Sequence, residues 1–185
     1  MLTVNDERFI ERAEIIREKG TNRSKFLRGE LAKYDWMDVG SSFLPSEMIA
    51  AFLFAQLEQL DLIQKKRKQI WEIYHDGLKE LTAISTITLS YIPDYATNNG
   101  NSFYILCKDL QERMRFIYYL NSMGVSAAFH YLPLHKSPFY HNKHDGRELP
   151  NTDKFSDCLV RLPFYYDLTE SDQKYIIDSV YRFYK

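Results

Sequence analysis

Residues 40–81, GSSFLPSEMIAAFLFAQLEQLDLIQKKRKQIWEIYHDGLKEL, constrain the chain most, because they read as a short loop feeding one unusually long helix. Pro45 stiffens the entry, Ser46 is a good N-cap, and Glu47 sits where the positive end of the helix dipole favours an acid. Neither proline nor glycine follows until Gly77. An unbroken helix over residues 46–81 would run about 54 Å, whereas a compact globule of 185 residues is roughly 40 Å across. The two halves also differ. Residues 48–57, MIAAFLFAQL, are apolar on nearly every side, as in a helix buried all round. Beyond Glu58 only a stripe through Leu60, Ile63, Ile70, Trp71, Tyr74, Leu78 and Leu81 stays apolar. The helix is therefore expected to leave one body and enter another.

Composition narrows the classes. At 45% hydrophobic and 15% aromatic the chain can bury a sizeable core. Lys plus Arg number 24 against 25 for Asp plus Glu, so no basic field points to nucleic acid, and none is expected as a partner. Cys107 and Cys158 lack CxxC spacing and read as reduced core residues, which suits a cytosolic protein. The opening MLTVNDERF has no basic region followed by an apolar stretch, and the run at Met48 is too short to span a bilayer. A cytoplasmic protein without membrane contact is expected.

Along the chain, residues 2–4 read as a β-prone stub and residues 7–19 as a helix ending at Gly20. Residues 21–40 lack clear periodicity but carry Arg23, Lys25, Arg28 and Lys33 among aromatic side chains. A solvated loop or hairpin and an anion-binding loop both fit. The Lys65-Lys66-Arg67-Lys68 run reads as a solvated helix face. Residues 84–89, 102–107 and 125–131 read as strands, with a helix over 110–123 that allows a crossover. A short helix over 153–159, an extended piece over 161–165 and a closing helix N-capped by Thr169 complete a small α+β domain.

No GxGxxG, Walker A, GxSxG or HExxH pattern is present. Four of the five histidines, His130, His135, His141 and His144, fall within fifteen residues, but no cysteine joins them and their intervals fit no standard zinc pattern, so no metal is expected. In FHYLPLH, residues 129–135, a strand ends and the chain turns at Pro133. His130, Tyr131 and His135 there can offer hydrogen bonds and a stacking face, although on spacing alone structural histidines are the safer reading. Ser41 and Ser42 precede a helix N-terminus, where hydroxyls, free N–H groups and the dipole favour a phosphate, although capping alone explains them too.

Together EIIREKGTNRSKFLRGELAKYDWMDVGSSFLPSEMIAAFLFAQLEQLD, FHYLPLH and VRLPFYYDLT resemble the C-terminal half of the DegT-type sugar aminotransferases, over essentially the whole chain. The resemblance implies an α/β chain: the α+β small domain of a fold-type-I pyridoxal-phosphate enzyme, with a long connecting helix followed by a small mixed sheet and flanking helices. Residues 1–45 would be a remnant of the large cofactor-binding domain, 46–81 the interdomain helix, and 82–185 the small domain. It further implies amination of a dTDP-4-keto-6-deoxyhexose with glutamate as donor, pyridoxal phosphate being the electron sink.

The family segment G-x-N-x-R-x-S falls on residues 40–46. Ser42 then stands where the family's Asn reaches across a dimer to the cofactor phosphate, beside Ser41, and Leu44 replaces the family's Arg. Lys33 matches the lysine of a family Lys-Tyr before this segment and is a candidate for the diphosphate of the sugar nucleotide, with Asn22 and Arg23 on the same looping segment. His130 and Tyr131 match the His-Tyr pair at the sugar site, His135 the histidine that follows, and Asn101 departs from a frequent histidine. No lysine falls in the motif of the cofactor-bearing lysine, so the chain is expected to be catalytically incomplete and not to retain the cofactor alone. Its partner would be a complementary N-terminal half or further copies of itself. The competing expectation is a non-catalytic interaction module.

Overall fold

The computed structural model describes residues 2–84 and 86–185, and the chain divides into two units, Met1–Glu58 and Gln59–Lys185. In the first, a 3-10 turn over Glu7–Phe9, capped by the Asp6 carboxylate accepting from Arg8 N–H, leads into α1 (Ile10–Arg17). There follow α2 (Arg23–Leu27) and α3 (Glu47–Glu58). Residues 2–4 form no strand, since a β-prone stub needs a partner ladder and none lies beside it among the described residues. Residues 21–40, read as lacking periodicity, contain α2 and one isolated bridge, Thr21 to Trp36, and a second, Glu18 to Ser42, closes the segment from outside.

Two glycines make that arrangement possible. After α1 the chain turns through left-handed Lys19 (φ 61°) and Gly20 (φ 78°). A Cβ on Gly20 would lie 1.7 Å from the Asp38 carbonyl oxygen, and one on Gly40 would lie 2.1 Å from the Gly20 nitrogen. The close approach lets Lys19 N–H donate to Ser41 O (3.1 Å), Ser41 N–H to Ile16 O (2.9 Å) and Phe43 N–H to Arg17 O (3.1 Å).

The Ser46 hydroxyl accepts from Ile49 N–H at 3.4 Å, as an N-cap should. The helix it starts differs from expectation in two ways. It stops at Glu58, with Gln59 at φ −100°, ψ 9° before α4 (Leu60–Ala83) begins. No proline or glycine marks that break, which falls where the all-round apolar run gives way to the one-sided stripe. Nor is any residue of α3 buried, despite its composition.

The second unit continues through β1 (Thr88–Leu89), β2 (Tyr104–Leu106), α5 (Leu110–Ser122), β3 (Ala128–Phe129), α6 (Pro150–Cys158), β4 (Leu159–Arg161) and α7 (Glu170–Tyr184). Strand order is β1-β2-β4-β3, antiparallel at every pairing. The α/β class stands, with one correction: the sheet is antiparallel rather than mixed. β4, which the sequence suggested only as an extended piece further on, inserts between β2 and β3. Those two strands therefore run parallel to each other without touching, with α5 as their connection. Three residues are too few for period-2 alternation to reveal such a strand.

One large core and a smaller cluster of Leu106, Cys158 and Leu159 hold this unit together. The α4 stripe buries Ile70, Tyr74, Leu78 and Leu81 against Phe103, Ile105 and Val160 of the sheet region, Phe116 and Leu120 of α5, and Ile176 and Val180 of α7. Gly77 lets α7 close on α4, since a Cβ there would meet Ile177 Cδ1 at 2.7 Å. The Tyr74 hydroxyl donates to Pro163 O at 2.9 Å, and burial pushes its pKa up. Both cysteines are free and buried, and burial raises the Cys107 thiol to about 12. Arg67 leaves the solvated face expected of the basic run. Its Nε donates to Gly100 O at 2.9 Å and its guanidinium lies 5.1 Å from the Phe164 ring centroid.

Candidate functional site

In the first unit the centre is a residue the sequence did not single out. Glu18 is 6% exposed, and its carboxylate accepts from Arg23 Nη1 at 3.0 Å and the Ser24 hydroxyl at 3.1 Å. A buried carboxylate is costly unless paired, so Arg23 spends much of its charge on Glu18. Asn22 is likewise engaged: its Oδ1 accepts from Asp35 N–H at 2.7 Å, tying the far end of the loop to the α1 turn. The bridge from Glu18 to Ser42 brings Ser42 to the same place. Asn22, Arg23, Ser41 and Ser42 thus converge on one turn, while Lys33 stands exposed two residues before Asp35. The only sequence signal for Glu18 was the glycine after Lys19, which marks a close backbone approach but not what the approach encloses.

Ser41 has both backbone groups committed to α1 and its turn. Among the described residues neither the Ser41 nor the Ser42 hydroxyl has a hydrogen-bond partner, and both residues are exposed. Two free hydroxyl donors fit a phosphate oxygen. Leu44, two residues on, adds no charge to that pair.

In the second unit His130 and Tyr131 leave the end of edge strand β3, both exposed, with rings edge to face at 4.8 Å and 62°. Arg113 of α5 fixes the base of this segment. Its guanidinium covers Phe129 at 5.5 Å, and its Nη1 donates to Ser156 O in the last turn of α6 at 2.7 Å. His135 follows in a 3-10 turn, Leu134–Lys136, and does not stay with the pair. Its Nε2 lies 3.1 Å from Asp153 Oδ1, which Lys136 Nζ also approaches at 2.8 Å. The Lys136 ammonium, then His135, hold the Asp153 carboxyl below its ordinary range.

His144 stacks beside His135 with centroids 5.3 Å apart. Gly146 N–H donates to its Nδ1 at 3.0 Å, so the proton of the neutral ring sits on Nε2. That Nε2 is buried without a partner, an arrangement that ordinarily costs about 1–3 kcal/mol. No group of three or more His, Cys, Asp or Glu among the described residues is placed to hold a metal ion. No helix among them is long and apolar enough to cross a membrane.

Comparison with known proteins agrees with this architecture. Residues 1–181 match the DegT/DnrJ/EryC1/StrS aminotransferase family, and the chain belongs to it. It is 22% identical over 183 residues to the dTDP-3-amino-3,6-dideoxy-alpha-D-galactopyranose transaminase of Aneurinibacillus thermoaerophilus, covering 98% of this chain and 46% of that protein. It is 24% identical to the pleiotropic regulatory protein of Geobacillus stearothermophilus, covering 100% of this chain and 47% of the other. The chain thus spans about half the length of the curated relatives it matches. Among solved structures, S. venezuelae DesV superposes with a TM-score of 0.81 at 24% identity, over 97% of this chain and 45% of that one. The aminotransferase TlmJ from Streptoalloteichus hindustanus gives 0.80 at 22%, over 97% and 46%.

Proposed function

We propose that this chain is the C-terminal part of a pyridoxal-phosphate transaminase that aminates a dTDP-4-keto-6-deoxyhexose with glutamate as donor, in the branch that forms dTDP-4-amino-4,6-dideoxygalactose. The observation that carries the reading is the family match over residues 1–181 by a chain half the length of its relatives. A putative sugar aminotransferase of Streptococcus pneumoniae, similar in fold, is known in a PLP form and a PMP form. When bound, pyridoxal phosphate supplies an electron sink for the carbon bearing the amino group. This chain's contribution is to bind and orient. Ser42 and Ser41 donate their hydroxyls to the cofactor phosphate, in a cofactor site completed by another polypeptide. His130 and Tyr131 offer hydrogen bonds and a stacking face to the sugar, and Lys33 brings an uncommitted cation to the diphosphate. Asn22 and Arg23 shape the turn that carries Ser42, and His135 anchors the loop through Asp153.

No lysine among the described residues is buried, whereas a cofactor-bearing lysine is usually activated by desolvation. That supports a lysine supplied from outside these residues. The isolated chain, given pyridoxal phosphate, glutamate and the keto sugar nucleotide, is expected to form no amino sugar. Addition of the N-terminal half of a family member should restore glutamate-dependent formation. Turnover by the chain alone overturns the incompleteness, and a reconstituted enzyme that ignores 4-keto sugar nucleotides overturns the substrate.

A second reading rests on α3, where Met48 is 84% and Phe52 70% exposed. An apolar helix this open favours a non-catalytic module that self-associates or docks on a split partner. Size-exclusion chromatography with light scattering decides it: a clean monomer at all concentrations removes self-association.

A further inference from the structure

The strand that carries His130 and Tyr131 has little ladder of its own. β3 has two residues, lies at the sheet edge and pairs only with β4, Ala128 with Arg161 and Phe129 with Val160. Two side chains of α5 grip it from outside the ladder. Asn121 Oδ1 accepts from Ala127 N–H at 3.2 Å, just ahead of the strand. At the other end Arg113 spans from the Phe129 ring, whose centroid lies 5.5 Å from the guanidinium carbon, to Ser156 O, which accepts from Nη1 at 2.7 Å. His130 comes next in the chain and its ring meets Tyr131 at 4.8 Å, so a displacement of Phe129 moves both rings.

Arginine is a costly choice here if packing is its only purpose. Its Nε is buried without a partner, and Phe129 stays 51% exposed beneath the guanidinium. An apolar side chain would fill the same space with no unsatisfied donor. What the guanidinium adds is geometry: a rigid plane that stacks on a ring through its face and donates from its edge in a fixed direction. We propose that Arg113 is a positioning residue that holds His130 and Tyr131 in a single pose for the sugar. The identity of the sugar rests on the transaminase reading, whereas the pose does not.

The test compares Arg113→Lys with Phe129→Leu in the full chain. Lysine keeps the charge and a donor for Ser156 O but has no plane, and leucine removes the ring while leaving Arg113 in place. In both variants the nuclear Overhauser contacts between the His130 and Tyr131 rings are expected to be lost, with the urea midpoint unchanged. Arg115→Lys, at an exposed position of the same helix, leaves those contacts intact. In enzyme reconstituted with the N-terminal half of a family member, Arg113→Lys raises KM for the keto sugar nucleotide about tenfold and leaves KM for glutamate unchanged. Ring contacts that survive both substitutions, or a midpoint that falls while the rings keep their pose, overturn the proposal and leave Arg113 a structural role only. Lost contacts with an unchanged KM for the sugar nucleotide overturn its bearing on the sugar. A reconstituted enzyme that aminates no keto sugar overturns the transaminase reading instead, and the ring contacts still decide the pose.

Discussion

The two units are stabilised by different physics. Every buried hydrophobic side chain among the described residues belongs to Gln59–Lys185, and none to Met1–Glu58. The first unit instead holds a buried carboxylate, two glycines in backbone contact and surface pairs such as Arg28 with Glu14 and Glu30. The second is an ordinary packed core, which burial alone maintains. The first depends on directed polar contacts that fix a turn, and that turn is where the candidate phosphate hydroxyls sit. Apolar side chains thus form a buried core in one unit and lie exposed along α3 in the other.

The sharpest way to break the contrast is to cut both units by the same chemistry. Phe116→Ala should destabilise the second unit by about 3–5 kcal/mol, read by urea denaturation. A loss near zero would mean that the core is not continuous. High pH should act on the same unit. The Cys107 thiol titrates at about 12 when folded against 9.0 unperturbed. The unfolded chain therefore gives up its proton first, and stability that is full below pH 9 falls by roughly 1.4 kcal/mol per pH unit above it. Tyr74 and Tyr184, also raised by burial, steepen the loss above pH 10. Cys107→Ala should flatten the slope between pH 9 and 10.

Arg23→Ala tests the polar turn. Leaving Glu18 with Ser24 alone should cost about 1–3 kcal/mol, visible as faster amide exchange at Lys19 and Ser41, with the second unit unchanged. Glu18→Gln in the same chain should recover most of it. No change in exchange would free Arg23 for a purely binding role. Thr169→Ala, which removes the hydroxyl accepting from Asp172 N–H at 3.1 Å, should cost the second unit about 1 kcal/mol. Smallest is Phe52→Ala on α3, where the side chain is already in water and the loss should stay within about 0.5 kcal/mol. A larger effect would show α3 covered in solution.

Local chemistry was legible wherever it was repeated along the chain. The α4 stripe, the Thr169 cap, α5, α7 and the positions of β1 to β3 followed from spacing and capping, and the FHYLPLH turn fell at a strand end as its proline suggested. Three features were not legible. β4 is too short to show a period, the break at Gln59 carries no proline or glycine, and Arg67 looks like its basic neighbours until the loop at Gly100 and Asn101 meets it. In the candidate site, Ser42 and the His130-Tyr131 pair were candidates from their places before a helix N-terminus and at a strand end, and the resemblance supplied a proposed role for each. Glu18, Arg113 and Asp153 were invisible, and His144 showed only as one of four clustered histidines, because their roles depend on partners distant in sequence or on burial.

By itself, then, the sequence determined where the periodic helices α1, α4, α5 and α7 run, that Ser46 and Thr169 cap helices, that the cysteines are core residues and that no basic field exists, because these depend on neighbours within a few positions. Only the tertiary structure decided that β4 divides β2 from β3, that Glu18 claims Arg23, and that His144 is left with a buried unpaired proton. Each of those is fixed by what burial brings together and by which charges and hydrogen bonds must then be satisfied.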